Sequence, residues 1–314
     1  MAMNISRTRC YAIWSCAAAM LASCGGSQPP ISAPGLIAQS ATAQAGLHKT
    51  ADSSGVLIYA VGGCGGVCVL SYPSGELVSG ISLSGDREGA CSDSAGNVFI
   101  TNDTQVVEYA YGGTTPIATL VLPGNTAIGC AVDPTTHNLA VTFKGNGVNL
   151  AIFHSATGEP TTYEAPTSLY CGYDGAGNLF LSGEKKVAEL ANGHSDFELF
   201  SLVGKVGNPG QIQWDGKEMT FESRTKGNIK ILRLQISGST ATVVGTTRLK
   251  GAKGQAAQSW LYGNTIFVPY GNGGQFATNI GVWKYPKGGN VETRYRHFGT
   301  VSFHGVTVSA APGR

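Results

Sequence analysis

One short phrase recurs four times in the middle of this 314-residue chain. It runs Gly89-Ala-Cys-Ser-Asp93-Ser-Ala-Gly-Asn97-Val-Phe-Ile. It returns as Gly129-Cys-Ala-Val-Asp133 with Asn138-Leu-Ala-Val, and again as Tyr170-Cys-Gly-Tyr-Asp174-Gly-Ala-Gly-Asn178-Leu-Phe-Leu. A decayed copy reads Ile212-Gln-Trp-Asp215. The four aspartates lie 40, 41 and 41 residues apart. A unit of that length, built of short apolar runs and Gly-Asn turns, cannot cover both faces of its own sheet. It must stack against its copies, and this is the signature of propeller blades.

Composition agrees. Charged residues make up only 13 %, about half the usual share. The 45 glycines suit many tight turns. These values exclude a charge-rich disordered chain and argue against a helical bundle. Val56–Val61, Val67–Tyr72 and Leu77–Leu83 read as three strands, separated by Gly62-Gly63 and Pro73-Ser-Gly75. The next unit has four runs, Gly89–Ser92, Asn97–Thr101, Gln105–Tyr111 and Pro116–Leu122, joined by hairpin turns.

A fifth copy is expected at Trp260-Leu-Tyr-Gly-Asn264-Thr-Ile-Phe-Val268. In Gly305-Val-Thr-Val-Ser309, Ser309 takes the aspartate slot. Asp93 to Ser309 is 216 residues over five intervals, about 43 per unit. Residues 55 to 85 lack a first strand, and Gly305–Ala310 would supply it. The expected fold is all-β: a six-bladed β-propeller over 55–314, its last strand closing the first blade. Seven blades is the alternative, with an extra short blade inside 203–300.

Residues 1–23 read as a signal segment. Arg7 and Arg9 precede an apolar run from Cys10 to Ala22, too short to span a bilayer. The run ends in Leu21-Ala22-Ser23-Cys24, which resembles the lipobox of bacterial lipoproteins; Cys24 would receive the lipid. Gly25 after it favours the outer membrane or cell surface. Residues 24–54 are rich in Ser, Ala, Gln, Pro and Gly and read as a disordered tether. Removing Arg7 and Arg9 from the 21 basic residues leaves 19 against 19 acidic ones. No basic stripe is visible, so nucleic acid is not an expected partner. A monomer is expected.

The phrase Gly-x-x-x-Asp-x-x-Gly-Asn, followed by three apolar residues, resembles NHL-type repeats and the senescence-marker/gluconolactonase propellers. The chain is also similar to bacterial lipoproteins carrying Gly129-Cys-Ala-Val-Asp-Pro134 and Glu108-Tyr-Ala-Tyr-Gly-Gly113. The lactonase resemblance implies a divalent cation held by an early Glu with later Asn and Asp residues. The expected Glu-Gly-Pro-x-Trp is replaced here by His304-Gly-Val-Thr-Val308, and the nearest acid in register is Glu88. A metal-dependent lactonase or hydrolase is therefore the alternative. The leading expectation is a binding module with no catalytic residues, cofactor or metal. Asp93, Asp133, Asp174 and Asp215 are expected to hold turns by accepting backbone N–H bonds. Gly would take positive φ, and Asn would tolerate it.

Five of eight cysteines remain beyond Cys24: Cys64, Cys68, Cys91, Cys130 and Cys171. The compartment permits disulfides. Cys64 and Cys68 flank a Gly-Gly turn. Cys91 stands two residues before its aspartate, whereas Cys130 and Cys171 stand three before theirs. That offset turns Cys91 toward a neighbour, making Cys91–Cys130 the second candidate pair; buried free thiols are the alternative.

Propeller ligands meet the end where loops lead into the first strands. That ring would be lined by Asp86, Arg87, Glu88, Asn125, Tyr170, Asn208, Gln211, Gln258, Trp260 and His304. The set is polar, nearly uncharged and partly aromatic. It suits an envelope protein, a peptide or a glycan.

Overall fold

The computed structural model describes residues 54–313, except 125, 146, 255–257, 272–276 and 297–301. The expected signal segment, Cys24, the expected tether to residue 53 and Asn125 lie outside the described residues.

The first sheet opens with β1 (Val56–Val61), β2 (Gly66–Tyr72) and β3 (Leu77–Ser82). The second is β4 (Ala90–Ser92), β5 (Val98–Asn102), β6 (Gln105–Tyr109) and β7 (Pro116–Val121). The third is β8 (Ala127–Val132), β9 (Leu139–Phe143), β10 (Leu150–Phe153) and β11 (Thr161–Tyr163). An eight-stranded sheet follows. It contains β12 (Cys171–Tyr173), β13 (Leu179–Gly183), β14 (Lys186–Leu190) and β15 (Phe197–Val203). It continues with β16 (Asn208–Trp214), β17 (Met219–Thr225), β18 (Asn228–Ser237) and β19 (Thr240–Lys253). The last separate sheet is β20 (Trp260–Tyr262), β21 (Thr265–Tyr270), β22 (Asn279–Lys284) and β23 (Thr293–Tyr295). The final strand, β24 (Gly305–Ala310), returns to β1.

The molecule is thus all-β and propeller-like, with four four-stranded sheets and one of eight strands. Among the described residues, only His154–Ala156 is helical, a single 3-10 turn. The eight-stranded sheet consists of two antiparallel runs. They are joined by a short parallel pairing of Ser201–Val203 in β15 with Thr240–Thr242 in β19.

The expected closing strand is present. All six residues of β24 pair antiparallel with β1, from Val56 opposite Ala310 to Val61 opposite Gly305. Second strands such as β1, β5 and β9 are buried along their whole length, because neighbouring sheets cover both faces. Fourth strands such as β3 and β7 are mostly exposed. This gradient of burial explains why the inner strands are continuous apolar runs.

The turn aspartates act as expected. Asp93 Oδ1 accepts the Asn97 N–H at 2.8 Å, and Asp174 Oδ1 accepts those of Ala176 and Asn178 at 2.8 and 2.9 Å. Asp133 and Asp215 cap their own turns in the same way. Gly96 and Gly177 take φ of +90° and +83°. The asparagines do a different job from the one expected. Neither Asn97 nor Asn178 is left-handed; their side-chain amides donate to Asp93 Oδ2 and Asp174 Oδ2 at 3.2 and 2.8 Å.

Both candidate disulfides are formed, Cys64–Cys68 and Cys91–Cys130. The second closes a separation of 39 residues and links the first strands of two neighbouring sheets. In the chain-entropy account it contributes about 4 kcal/mol, against about 2 kcal/mol for the first. Cys171 is a buried free thiol. Loss of hydration pushes its pKa up to about 12.

The repeat explains the difference. Three residues before the aspartate, the side chain faces the preceding sheet: the sulfurs of Cys130 and Cys171 each lie 3.7 Å from a carbonyl there, Phe99 and Ala140. Two residues before it, the side chain faces the following sheet. Cys91 occupies that position and meets Cys130. The equivalent opposite Cys171 is Ala131, packed in the same apolar cluster.

Two outcomes are expected. Deleting residues 304–314 removes the strand that covers β1 and should abolish cooperative unfolding; an unchanged thermal transition would refute the closure. A131C places a thiol where Cys91 stands one repeat earlier. It should pair with Cys171 in non-reducing peptide maps, and a Cys171 still open to alkylation after denaturation would count against the equivalence.

Candidate functional site

Of the residues proposed from sequence, Asp86, Arg87, Glu88, Tyr170, Gln258 and His304 stand in segments that lead into first strands, and Asn208, Gln211 and Trp260 within β16 and β20. Glu88 and His304 meet. His304 Nδ1 lies 3.5 Å from Glu88 Oε2, and both side chains are about two-fifths exposed. Arg87 is half-buried and donates to the Leu83 carbonyl. Asp86 and Asn208 are exposed. The Asp86 N–H donates to Asp103 Oδ1 at 2.8 Å.

Tyr170, Gln211 and Gln258 lie deeper than solvated loop residues would. Tyr170 is 7 % exposed. Burial raises its phenol pKa well above the ordinary value, a change opposed by the nearby Arg224 cation. Gln211 Nε2 donates to the carbonyls of Cys171 and Ile212, both at 2.9 Å.

Gln258 is 0 % exposed. Its Oε1 accepts the Ala90 N–H at 2.7 Å, and its Nε2 donates to the Cys130 carbonyl at 3.3 Å. Its own backbone bonds His304 and Val306 beside β24. One glutamine therefore ties β4, β8 and β24 together. These amides satisfy backbone groups of first strands, which cannot pair with one another as a sheet.

Glu222 and Arg224 also form a buried ion pair, 1 % and 5 % exposed. Arg224 Nε donates to Glu222 Oε1 at 2.8 Å. Glu222 Oε2 and Gln211 Oε1 have no hydrogen-bond partner among the described residues. Among the described residues there is no group of three or more His, Cys, Asp or Glu placed to hold a metal.

A depression of about 210 Å3 opens at the other end of the first strands. Ser92, Val132, Tyr173 and Trp214 contribute to its wall. Each immediately precedes the turn aspartate of its repeat, so one repeat position turns inward four times. Trp260 adds a second indole and Gln213 a carboxamide. Gln213 Oε1 also accepts the Leu261 N–H at 2.8 Å, bridging β16 to β20. Trp260 packs against the clusters of both the first sheet and the Cys91–Cys130 pair.

Of the described ring residues named from sequence, Gln211 and Trp260 line this depression. Tyr173, Gln213 and Trp214 were missed. The available signal was the residue before each aspartate, read as Ser, Val, Tyr and Trp through the four copies. The surface is aromatic and polar, with Asp174 its one carboxylate among the described lining residues. It can stack on a flat or sugar-like face and exchange hydrogen bonds. Among the described lining residues no nucleophile is paired with a base.

No protein-family profile matches the chain, and neither does any curated protein. Solved structures do. A protein of unknown function from Bacteroides caccae is 14 % identical with a TM-score of 0.61, over 82 % of this chain and 99 % of that one. A functionally unknown protein from Desulfotomaculum acetoxidans is 13 % identical with a TM-score of 0.55, over 81 % and 99 %. At such identities the likeness shows the fold alone.

The Gln258 bridge carries a stability consequence. Q258L keeps the shape but strands the Ala90 N–H and the Cys130 carbonyl in a dry site. A loss of about 1–3 kcal/mol is expected in guanidinium unfolding. An unchanged midpoint would mean that the bridge does not hold the first strands.

Proposed function

We propose that this chain is a lipid-anchored β-propeller of the bacterial cell envelope. It binds a weakly charged ligand, a glycan or a peptide, in the axial depression and performs no catalysis. The observation that carries this reading is the set Tyr173, Trp214 and Trp260 around one opening of about 210 Å3. Aromatic faces beside carboxamides are the usual chemistry for recognising uncharged polar ligands, and the carboxylates of the repeat are occupied in turns.

Six blades is the architecture within this proposal. The eight-stranded sheet divides naturally at its parallel β15–β19 join into two antiparallel four-stranded runs. First strands touch in a closed circuit, β24 to β4, β8, β12, β16, β20 and back to β24. Within 203–300, the described strands fill two such runs, which speaks against a seventh blade. Two disulfides favour an oxidising compartment outside the cytoplasm. The lipid anchor rests on the sequence ending at Cys24.

Glycan and peptide arrays probed with the purified protein test the binding reading. W260A and W214A should each weaken the best hit at least about tenfold, as expected for aromatic anchors. Full retention in the double substitution would refute the site. A divalent cation that raised the melting temperature and switched on ester or lactone cleavage would replace the binding module with the metal-dependent hydrolase.

A further inference from the structure

A second concavity, unrelated to the axis, lies on the outer part of the eight-stranded sheet. It is formed by the segment after β15, the β17–β18 hairpin and the later half of β19, and encloses about 690 Å3. Lys205, Lys226, Lys230, Arg248 and Lys250 line it, and no acid does among the described lining residues. Ile229 and Leu249 border it too, but both are buried, packed with Ile266 and Trp283 of the next sheet.

The charge is out of proportion to the chain. Beyond the signal segment, 19 basic residues balance 19 acidic ones, yet five of the cations converge here. The acid on β17, Glu222, is paired with Arg224.

The cations are also held close against their own repulsion. Lys230 and Arg248 are direct cross-strand partners on β18 and β19, a like-charged pairing that costs stability. Lys230 Nζ donates to the Lys205 carbonyl at 2.7 Å, which fixes the ammonium in the groove. Partial burial, then Arg248 and Lys205, lowers its pKa. A fold does not gain from such an arrangement. A bound anion would gain from it, because the donors are already gathered and one of them, Lys230, is partly desolvated.

We propose that this groove is a binding site for a polyphosphorylated ligand. Two or more phosphate groups would meet the lysines and Arg248. Phosphate suits the site better than carboxylate: each group carries close to two charges and three acceptor oxygens, which five separate cations can share. The volume lies within the range of small-ligand pockets. The ligand's phosphates come either from a soluble phosphorylated molecule or from a lipid headgroup, and this groove reads the chemistry the two share.

Calorimetry on the purified protein with pyrophosphate and with inositol hexakisphosphate tests the soluble source. Sedimentation with phosphatidylcholine vesicles, with and without phosphatidic acid, tests the headgroup. Saturable binding of either phosphate probe is expected, weakened about tenfold by R248Q and further by K230Q/R248Q, in line with the loss of charged hydrogen bonds. Binding should fall steeply with added salt. Without ligand, R248Q should melt above the wild type, because a repulsive cross-strand pair is removed.

Binding to vesicles alone would assign the headgroup as the source, and binding to soluble probes alone would assign the free molecule. The proposal is overturned if no phosphate probe binds at low ionic strength, or if K230Q/R248Q binds as well as the wild type. It is equally overturned if R248Q melts below the wild type. An oligonucleotide without terminal phosphates that binds more tightly than every phosphate probe would make the groove a nucleic-acid surface instead.

Discussion

The pairing of β24 with β1 is the constraint on which the rest depends. A sheet between two neighbours can bury both faces, but only if the row of sheets has no end. Here the last strand completes the first sheet over six residue pairs. The chain then meets itself, and each first strand touches the next around a closed circuit. Ser92 and Ser309 fasten the junction from both sides. Ser92 Oγ donates to the Val308 carbonyl at 2.8 Å, and Ser309 Oγ donates to the Gly96 carbonyl at 2.6 Å. Ser309 takes the aspartate's place in the repeat because its duty differs. It binds a neighbour's turn and does not fold its own.

Closure leaves a difficulty at the centre. First strands converge there without forming a sheet, so their inward N–H and C=O groups need other partners. Gln258, Gln211 and Gln213 supply them, each reaching from one first strand or its approach to another. Carboxamides suit this work, since one side chain both donates and accepts and carries no charge to desolvate. The Cys91–Cys130 bond adds a covalent link to the same layer. Once the centre is locked by neutral groups, what remains open is the far mouth with its aromatic side chains. The axial chemistry is therefore neutral as a consequence of how the ring is held.

Much of the fold was legible because it is local or periodic. Hairpins, turn aspartates and apolar runs are written within each repeat, and the missing first strand of the opening sheet could be found by subtraction at Gly305–Ala310. The offset of Cys91 against Cys130 was readable for the same reason: a one-residue shift reverses the face of a strand. The parallel join of β15 with β19 was not legible. It depends on three residues near 202 meeting three near 241, and no local pattern marks such a contact. At the site, Gln258 and Gln211 read from sequence as ligand-facing groups of a loop ring. What buries Gln258 is an unpaired N–H on Ala90, 168 residues away. Sequence shows that a side chain can bond but hides the distant group that needs it.

The remaining electrostatics follow from the same economy. Asp93, Asp133, Asp174 and Asp215 are turned into backbone acceptors, and Glu222 is shut inside with Arg224. These five acids are thus spent on architecture. A lysine or arginine cannot take over the turn work, because it has no lone pair to offer a turn N–H. A chain that is neutral by count then presents unbalanced positive charge wherever its basic residues gather. In β18 and β19 that gathering reaches Lys230 directly opposite Arg248. Random scatter of the surplus would have spread it over the rim, where single exposed charges interact weakly across a Debye length of about 10 Å. In the proposed groove it is instead concentrated, five cations with no acid among the described lining residues.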